Sequence, residues 1–109
     1  MNWIPLTDEK QLDEVVVNSN TVPQVIFKHS TRCSISSMAK NRLDRKDAPA
    51  GINFYYLDLI KYRNLSNKIA RDFQVTHQSP QVLVIENGKC VYHESHSGID
   101  FQEIESVVS

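Results

Sequence analysis

Cysteine is scarce in this chain: Cys33 and Cys90 are the only two among 109 residues. Two thiols exclude a disulfide-rich secreted scaffold and a four-cysteine zinc site within one chain. Long apolar runs are missing as well. The longest extend about four residues, against the roughly 20 needed to span a bilayer. Neither charge is in excess, since 12 basic and 13 acidic side chains leave a formal charge of −1. A nucleic-acid or membrane-surface binder would carry a basic surplus, so neither partner is expected. The opening MNWIPLTDEK has no basic n-region and no h-region, so no signal peptide is expected. These absences leave a soluble, cytoplasmic protein with reduced thiols. Its length fits one domain, residues 1–109, because domains typically run about 100–150 residues. No repeat, low-complexity tract or linker divides it, and the break at Asp47-Ala48-Pro49-Ala50-Gly51 leaves halves too short for separate cores.

What is present is a readable alternation of elements. Asn2–Pro5 suits a short edge strand ended by its proline. Thr7 is a candidate N-cap, and Leu12, Val15 and Val16 give Asp8–Ser19 a helical stripe. Val22–His29 holds the apolar run VIF behind Pro23 and reads as a strand buried on both faces. Ile35, Met38, Ala39 and Leu43 predict a helix with those four on its apolar face. Ile52–Leu59 is a second buried strand, and Leu65, Ile69 and Phe73 mark a third helix. Gln81–Glu86 and Lys89–Glu94 flank Asn87-Gly88, the strongest two-residue hairpin signal. Asp100 and Glu103 have capping-box spacing ahead of a stripe of Phe101, Ile104, Val107 and Val108. The order (β)αβαβαββα implies a right-handed parallel crossover, then a hairpin, with helices on both faces of one mixed sheet.

Chemistry concentrates at Cys33. It follows a central strand and precedes a helix in FKHSTRCSISSMAKNRL. A helix N-terminus offers free N–H groups and about half a positive charge, and both favour a thiolate. Arg32 adds a neighbouring cation. A partly buried, inert cysteine is the alternative reading. Ser36 stands where a dithiol oxidoreductase would have its second cysteine, so no CxxC disulfide can form. Its hydroxyl is either a donor to the thiolate or an ordinary first-turn residue.

Ser79-Pro80 enters the strand QVLVI at a position open to proline. Trans is the default for such a bond, and a cis bond would offer the Ser79 backbone to an incoming disulfide-bearing chain. If Pro80 marks the active end, the strand 81–86 carries the chain roughly 15–20 Å away before Cys90 starts the return. A Cys33–Cys90 bridge needs Cα atoms within about 7 Å, so none is expected and Cys90 reads as a small core residue. His29 has H-x3-C spacing to Cys33, while His77, His93 and His96 are scattered. A metal site is not expected, and His29 reads as a strand-end residue ahead of a general base to Cys33. Lys40, Arg42, Arg45 and Lys46 form a basic stretch read as a solvated face, with attraction of an anionic thiol as the alternative. The strand INFYYLDL leaves Asp58 either buried or at a loop mouth.

The element order resembles the thioredoxin fold over essentially the whole chain. The expected fold is therefore α/β and thioredoxin-like: a central mixed four-stranded sheet, an extra short N-terminal edge strand, and helices on both faces. FKHSTRCSISSMAKNRL is similar to the active-site segment of the YtxJ-like monothiol bacilliredoxin family, and RNLSNKIARDFQVTHQSPQVLVIENGKCVYHESHSGI to its C-terminal half. Against the family motif Thr-Cys-Pro-Ile-Ser, Cys33, Ile35 and Ser36 match. Arg32 and Ser34 replace its threonine and proline, and Thr31 lies one place earlier.

The resemblance implies an enzyme that removes bacillithiol from S-bacillithiolated client proteins. Cys33 would be the nucleophile and bacillithiol the co-substrate, with no bound cofactor. A low-molecular-weight thiol or a reductase would regenerate Cys33. Thr31, Ser79 and Pro80, the last as a cis-proline, would lie beside the incoming disulfide. Two other readings compete with this one. One is a redox sensor or binding module that accepts a cap without turnover. The other is a metal or cluster carrier analogous to monothiol glutaredoxins.

Overall fold

A computed structural model describes residues 1–108. Its elements are β1 (Trp3–Pro5), α1 (Glu9–Asn18), β2 (Gln24–His29), α2 (Ser34–Asp44), β3 (Asn53–Asp58), α3 (Arg63–Asp72), β4 (Gln81–Glu86), β5 (Lys89–Ser95), a 3-10 turn (His96–Gly98) and α4 (Phe101–Val108). The strands form one mixed sheet in the order β1-β3-β2-β4-β5. The N-terminal edge strand is a full member, pairing parallel with β3 from Trp3↔Phe54 to Pro5↔Tyr56. β2 runs parallel to β3 and antiparallel to β4, and β5 returns antiparallel to β4. This is the thioredoxin-like α/β architecture.

Alternation along the central strands divides the core between two faces. Ile26, Leu83 and Ile85 pack with Leu12, Val15, Leu65 and Ile69 from α1 and α3. Val25, Phe27, Val82 and Val84 pack with Ala39, Leu43, Ile104 and Val108 from α2 and α4. Each fully buried aliphatic or aromatic side chain of this kind contributes about 1.5–3 kcal/mol. All six residues of β2 are buried, as its double cover requires. Asn87 and Gly88 both take positive φ, 54° and 76°, as a two-residue hairpin turn demands. A register shift between Val84 and Ile85 leaves Val91 as an extra, exposed residue in β5.

Several local expectations are corrected. The N-cap of α1 is Asp8, not Thr7: the Asp8 carboxylate accepts the Gln11 N–H at 2.8 Å. Asp100 and Glu103 form no capping box. The Asp100 carboxylate accepts the Gln102 N–H, and Glu103 instead accepts the Tyr92 hydroxyl at 2.7 Å. On α2, Ile35 and Met38 are 51% and 61% exposed, and the buried residues are Ser36, Ala39 and Leu43. The helix is rotated so that a hydroxyl, rather than Ile35, meets the sheet.

The register also sets up the site. Lys28 pairs with Gln81, and Gln81 with Ser95. The end of β2, the start of β4 and the end of β5 therefore lie along one edge of the sheet. The loop to Cys33 rises from that edge.

Candidate active site

Cys33 is the N-cap residue of α2, in extended backbone conformation and partly exposed. Its N–H donates to Ser30 O at 3.2 Å, and its carbonyl accepts the Ser37 N–H at 3.0 Å. The thiol makes no side-chain cap bond, and the first turn of α2 holds no acidic residue. A negative sulfur here faces the positive end of the helix dipole and the unpaired N–H groups of the first turn. Thr31 and Arg32 are exposed on the loop before it, and Ile35 and Met38 form an exposed apolar surface after it.

Ser36 is fully buried one turn into α2. Its oxygen accepts the Ser30 N–H at 3.0 Å and lies 2.6 Å from His29 Nδ1. The Ser30 N–H and the Ser30 carbonyl are thus both engaged, one by Ser36 and one by Cys33, so the loop carrying the thiol is closed on itself. His29 is only 5% exposed at the end of β2. It stacks on Phe27 at 5.9 Å and tilts against Tyr56 at 5.6 Å. Burial, with the Lys40 ammonium adding to it, holds His29 below the ordinary histidine value. His29 thus closes β2 with its ring against the Ser36 hydroxyl.

The Ser79-Pro80 bond is cis. Pro80 is buried, and its carbonyl accepts the His96 N–H at 3.0 Å. His96 is exposed with a positive φ of 56°. Strand register brings this pair to the sheet edge that carries His29. Ser79 Oγ and Gln81 Oε1 are buried without a hydrogen-bond partner among the described residues.

The other candidates fall outside this centre. Cys90 is free, half-buried against the α1/α3 core, with its thiol donating to Tyr92 O at 3.3 Å. Burial pushes that thiol up. Lys40 pairs with Asp44 at 3.0 Å and lies over the Tyr56 ring, and Arg42 donates to Ile99 O. Arg45 and Lys46 are exposed. Asp58 is at a loop mouth, where its carboxylate accepts the N–H groups of Ile60 and Lys61. Among the described residues no three His, Cys, Asp or Glu side chains gather as metal ligands.

Lys28 is the polar residue that sequence reasoning missed. It is completely buried, donates to Ser66 O at 3.0 Å and lies 3.4 Å from His77 Nδ1. Its signal was a charge inside a strand read as buried on both faces.

Comparison with known proteins places these features in a wider set. A family model described as monothiol bacilliredoxin BrxC matches residues 4–104. A solved structure described as a candidate oxidoreductase with a thioredoxin fold is 27% identical, with a TM-score of 0.83, covering 97% of this chain and 93% of its own. Oxidised thioredoxin from Plasmodium falciparum is similar in fold at 14% identity and a TM-score of 0.75, covering 99% of this chain and 100% of its own. Thioredoxin from Malassezia sympodialis is similar in fold at 18% identity and 0.73, covering 98% and 88%.

Proposed function

The chain belongs to the monothiol bacilliredoxin family, and from that premise we propose that it removes bacillithiol from S-bacillithiolated proteins, using Cys33 as its single nucleophile. The Cys33 thiolate attacks the bacillithiol sulfur of the mixed disulfide. A Cys33–bacillithiol disulfide forms, and the client leaves as a thiolate that takes a proton from water. A second low-molecular-weight thiol, or a reductase, then attacks the capped sulfur and releases Cys33. Each step exchanges one disulfide for another, so no external oxidant is needed.

The observation that carries this reading is a single thiol at an uncapped helix start with Ser36, not cysteine, one turn on. Such a site can accept a cap but cannot resolve it internally. Arg32 precedes Cys33 in the chain as an exposed cation free to turn toward an anionic sulfur. Ser36 supplies a hydroxyl one turn from it. Thr31, Ser79 and Pro80 line the approach of the client disulfide. The exposed Ile35 and Met38 give that client an apolar surface to rest on. The cytoplasm, where bacillithiol would be the reducing thiol, is the compartment this chemistry requires.

Intact-mass spectrometry of the reduced protein mixed with a bacillithiolated client tests the reading. The cap should move from client to protein and leave on addition of free thiol. A client that stays capped would remove transfer chemistry, and a cap that moves but never leaves would make the protein a sensor.

A further inference from the structure

Three cations at the end of α2 have no carboxylate partner. Lys40 on the same helix pairs with Asp44, and Lys68 and Arg71 on α3 reach Asp72. Arg42, Arg45 and Lys46 join no ion pair among the described residues, although acidic side chains outnumber basic ones, 13 to 12. All three line one open cleft of about 490 Å3 between the end of α2 and residues 97–101. Leu43 and Ile99, both buried, and the partly buried Phe101 give the cleft its apolar lining. Asp100 is the one acid that lines it, and its carboxylate accepts the Gln102 N–H. Asp47 and Glu105 line the neighbouring cleft past Lys46.

Both walls of the cleft lead back to the thiol. One wall is α2, which carries Cys33 at its start. The other begins at Ser97, next to His96, whose N–H donates to the Pro80 carbonyl at 3.0 Å. Arg42 ties the walls together by donating to the Ile99 carbonyl at 3.3 Å, and its other N–H groups stay free. The helix dipole favours cations at this end of α2. It does not require them to converge on an apolar cleft with a second wall. At about 1.5 Å per residue, Arg42 lies about 13 Å and Arg45 about 18 Å along the helix from Cys33. An extended polypeptide covers that span in about four to five residues.

We propose that the cleft between the end of α2 and residues 97–101 docks an acidic segment of the client protein, about four to five residues from the capped cysteine. Carboxylates of that segment meet Arg42, Arg45 and Lys46, and an apolar side chain beside them rests on Leu43, Ile99 and Phe101. Exposed charges of this kind select partners and speed encounter more than they add affinity, so the cleft ranks clients by the charge around their cysteine. The proposal rests on Cys33 being the thiol that clients approach and is independent of which cap they carry.

Titration of the nitrogen-15-labelled protein with synthetic peptides gives the test. Each peptide has serine in place of the capped cysteine. Glutamate or glutamine fills the fourth to sixth positions on either side of it. The glutamate peptide should shift the backbone N–H signals of Arg45, Lys46 and Ser97 and bind about fivefold tighter than the glutamine peptide at 50 mM salt. That preference should fall to within about twofold at 0.5 M salt. Arg45→Gln with Lys46→Gln should bind both peptides equally. Lys10→Gln with Lys89→Gln changes the net charge as much, at exposed sites away from the cleft, and should keep the preference. Equal binding of the two peptides by the parent, or a preference that survives Arg45→Gln with Lys46→Gln, would overturn the proposal. So would the same shifts from free glutamate at equal carboxylate concentration, which would make the cleft a site for small anions. No thiol chemistry enters the titration, so a failure of cap transfer leaves these outcomes readable.

Discussion

Lys28 and His29 are consecutive on β2, both buried, and they serve opposite faces of the sheet. His29 meets Ser36 on the α2 face and so joins the loop that carries Cys33. Lys28 crosses to the α3 face, where its ammonium finds the Ser66 carbonyl and the His77 ring but no carboxylate among the described residues. Burial alone pushes Lys28 down to about 8. Two neighbouring polar residues thus have different consequences. A neutral ring bonded to a hydroxyl ties down the loop before α2, whereas a buried charge with only neutral partners bears on stability. The thiols divide in the same way. Cys33 stands at an uncapped helix end on the α2 side, and Cys90 packs against the α1/α3 core.

The largest expected effect contrasts the thiols. Cys33→Ser should lower cap transfer at least about a thousandfold, because the attacking atom is gone. Cys90→Ser should leave the transfer rate within about threefold. Comparable losses in both variants would break the contrast between the two faces.

The next effect belongs to Lys28. Between about 8 in the folded chain and the ordinary 10.5, the unfolded chain holds a proton that the folded one has released. Stability should therefore rise with pH across that window, by up to about 3 kcal/mol. Cys90 and Tyr92 also titrate at high pH, so the readout is the difference between parent and Lys28→Met. Urea denaturation at pH 7.5 and pH 10 should show the parent gaining on the variant as pH rises. A constant difference would mean that the buried charge has no thermodynamic consequence.

Smaller still is the effect of Ser36→Ala on folding. It leaves the partly buried Ser30 N–H and the buried His29 ring without their shared oxygen, at a cost of about 1–3 kcal/mol in urea denaturation. Because Ser36 holds the loop that leads to Cys33, the loss should come with a changed Cys33 alkylation rate, whereas Lys28→Met should leave that rate alone. Remote from both regions, Asp8→Ala removes the α1 cap and should cost about 1 kcal/mol with no change in reactivity.

Much of the architecture was legible because it follows from periodicity. The doubly buried β2 and β3, the Asn87-Gly88 hairpin and the order of elements each rest on patterns in a few adjacent residues. Cys33 was legible too, since its place before a helix can be read from FKHSTRC. Less was legible where one polar residue overrode an apolar pattern. Ile35 and Met38 have the spacing of a core stripe, yet a buried hydroxyl at Ser36 meets His29 at the end of β2 and both apolar side chains face outward. Thr7 and Asp8 are equally good caps by type, and only the observed bond to Gln11 separates them. Glu103 was drawn from its capping position by Tyr92, eleven residues away. The His29–Ser36 contact spans seven residues and two elements, and no local pattern announces it.

Peptide mapping of the capped protein would locate the cap on one thiol or the other. The reduced chain would be mixed with a bacillithiolated client, trapped with iodoacetamide, and digested under non-reducing conditions. Bacillithiol is expected on the peptide carrying Cys33, with carbamidomethyl or free thiol at Cys90. A cap on Cys90, or a Cys33–Cys90 disulfide, would contradict it.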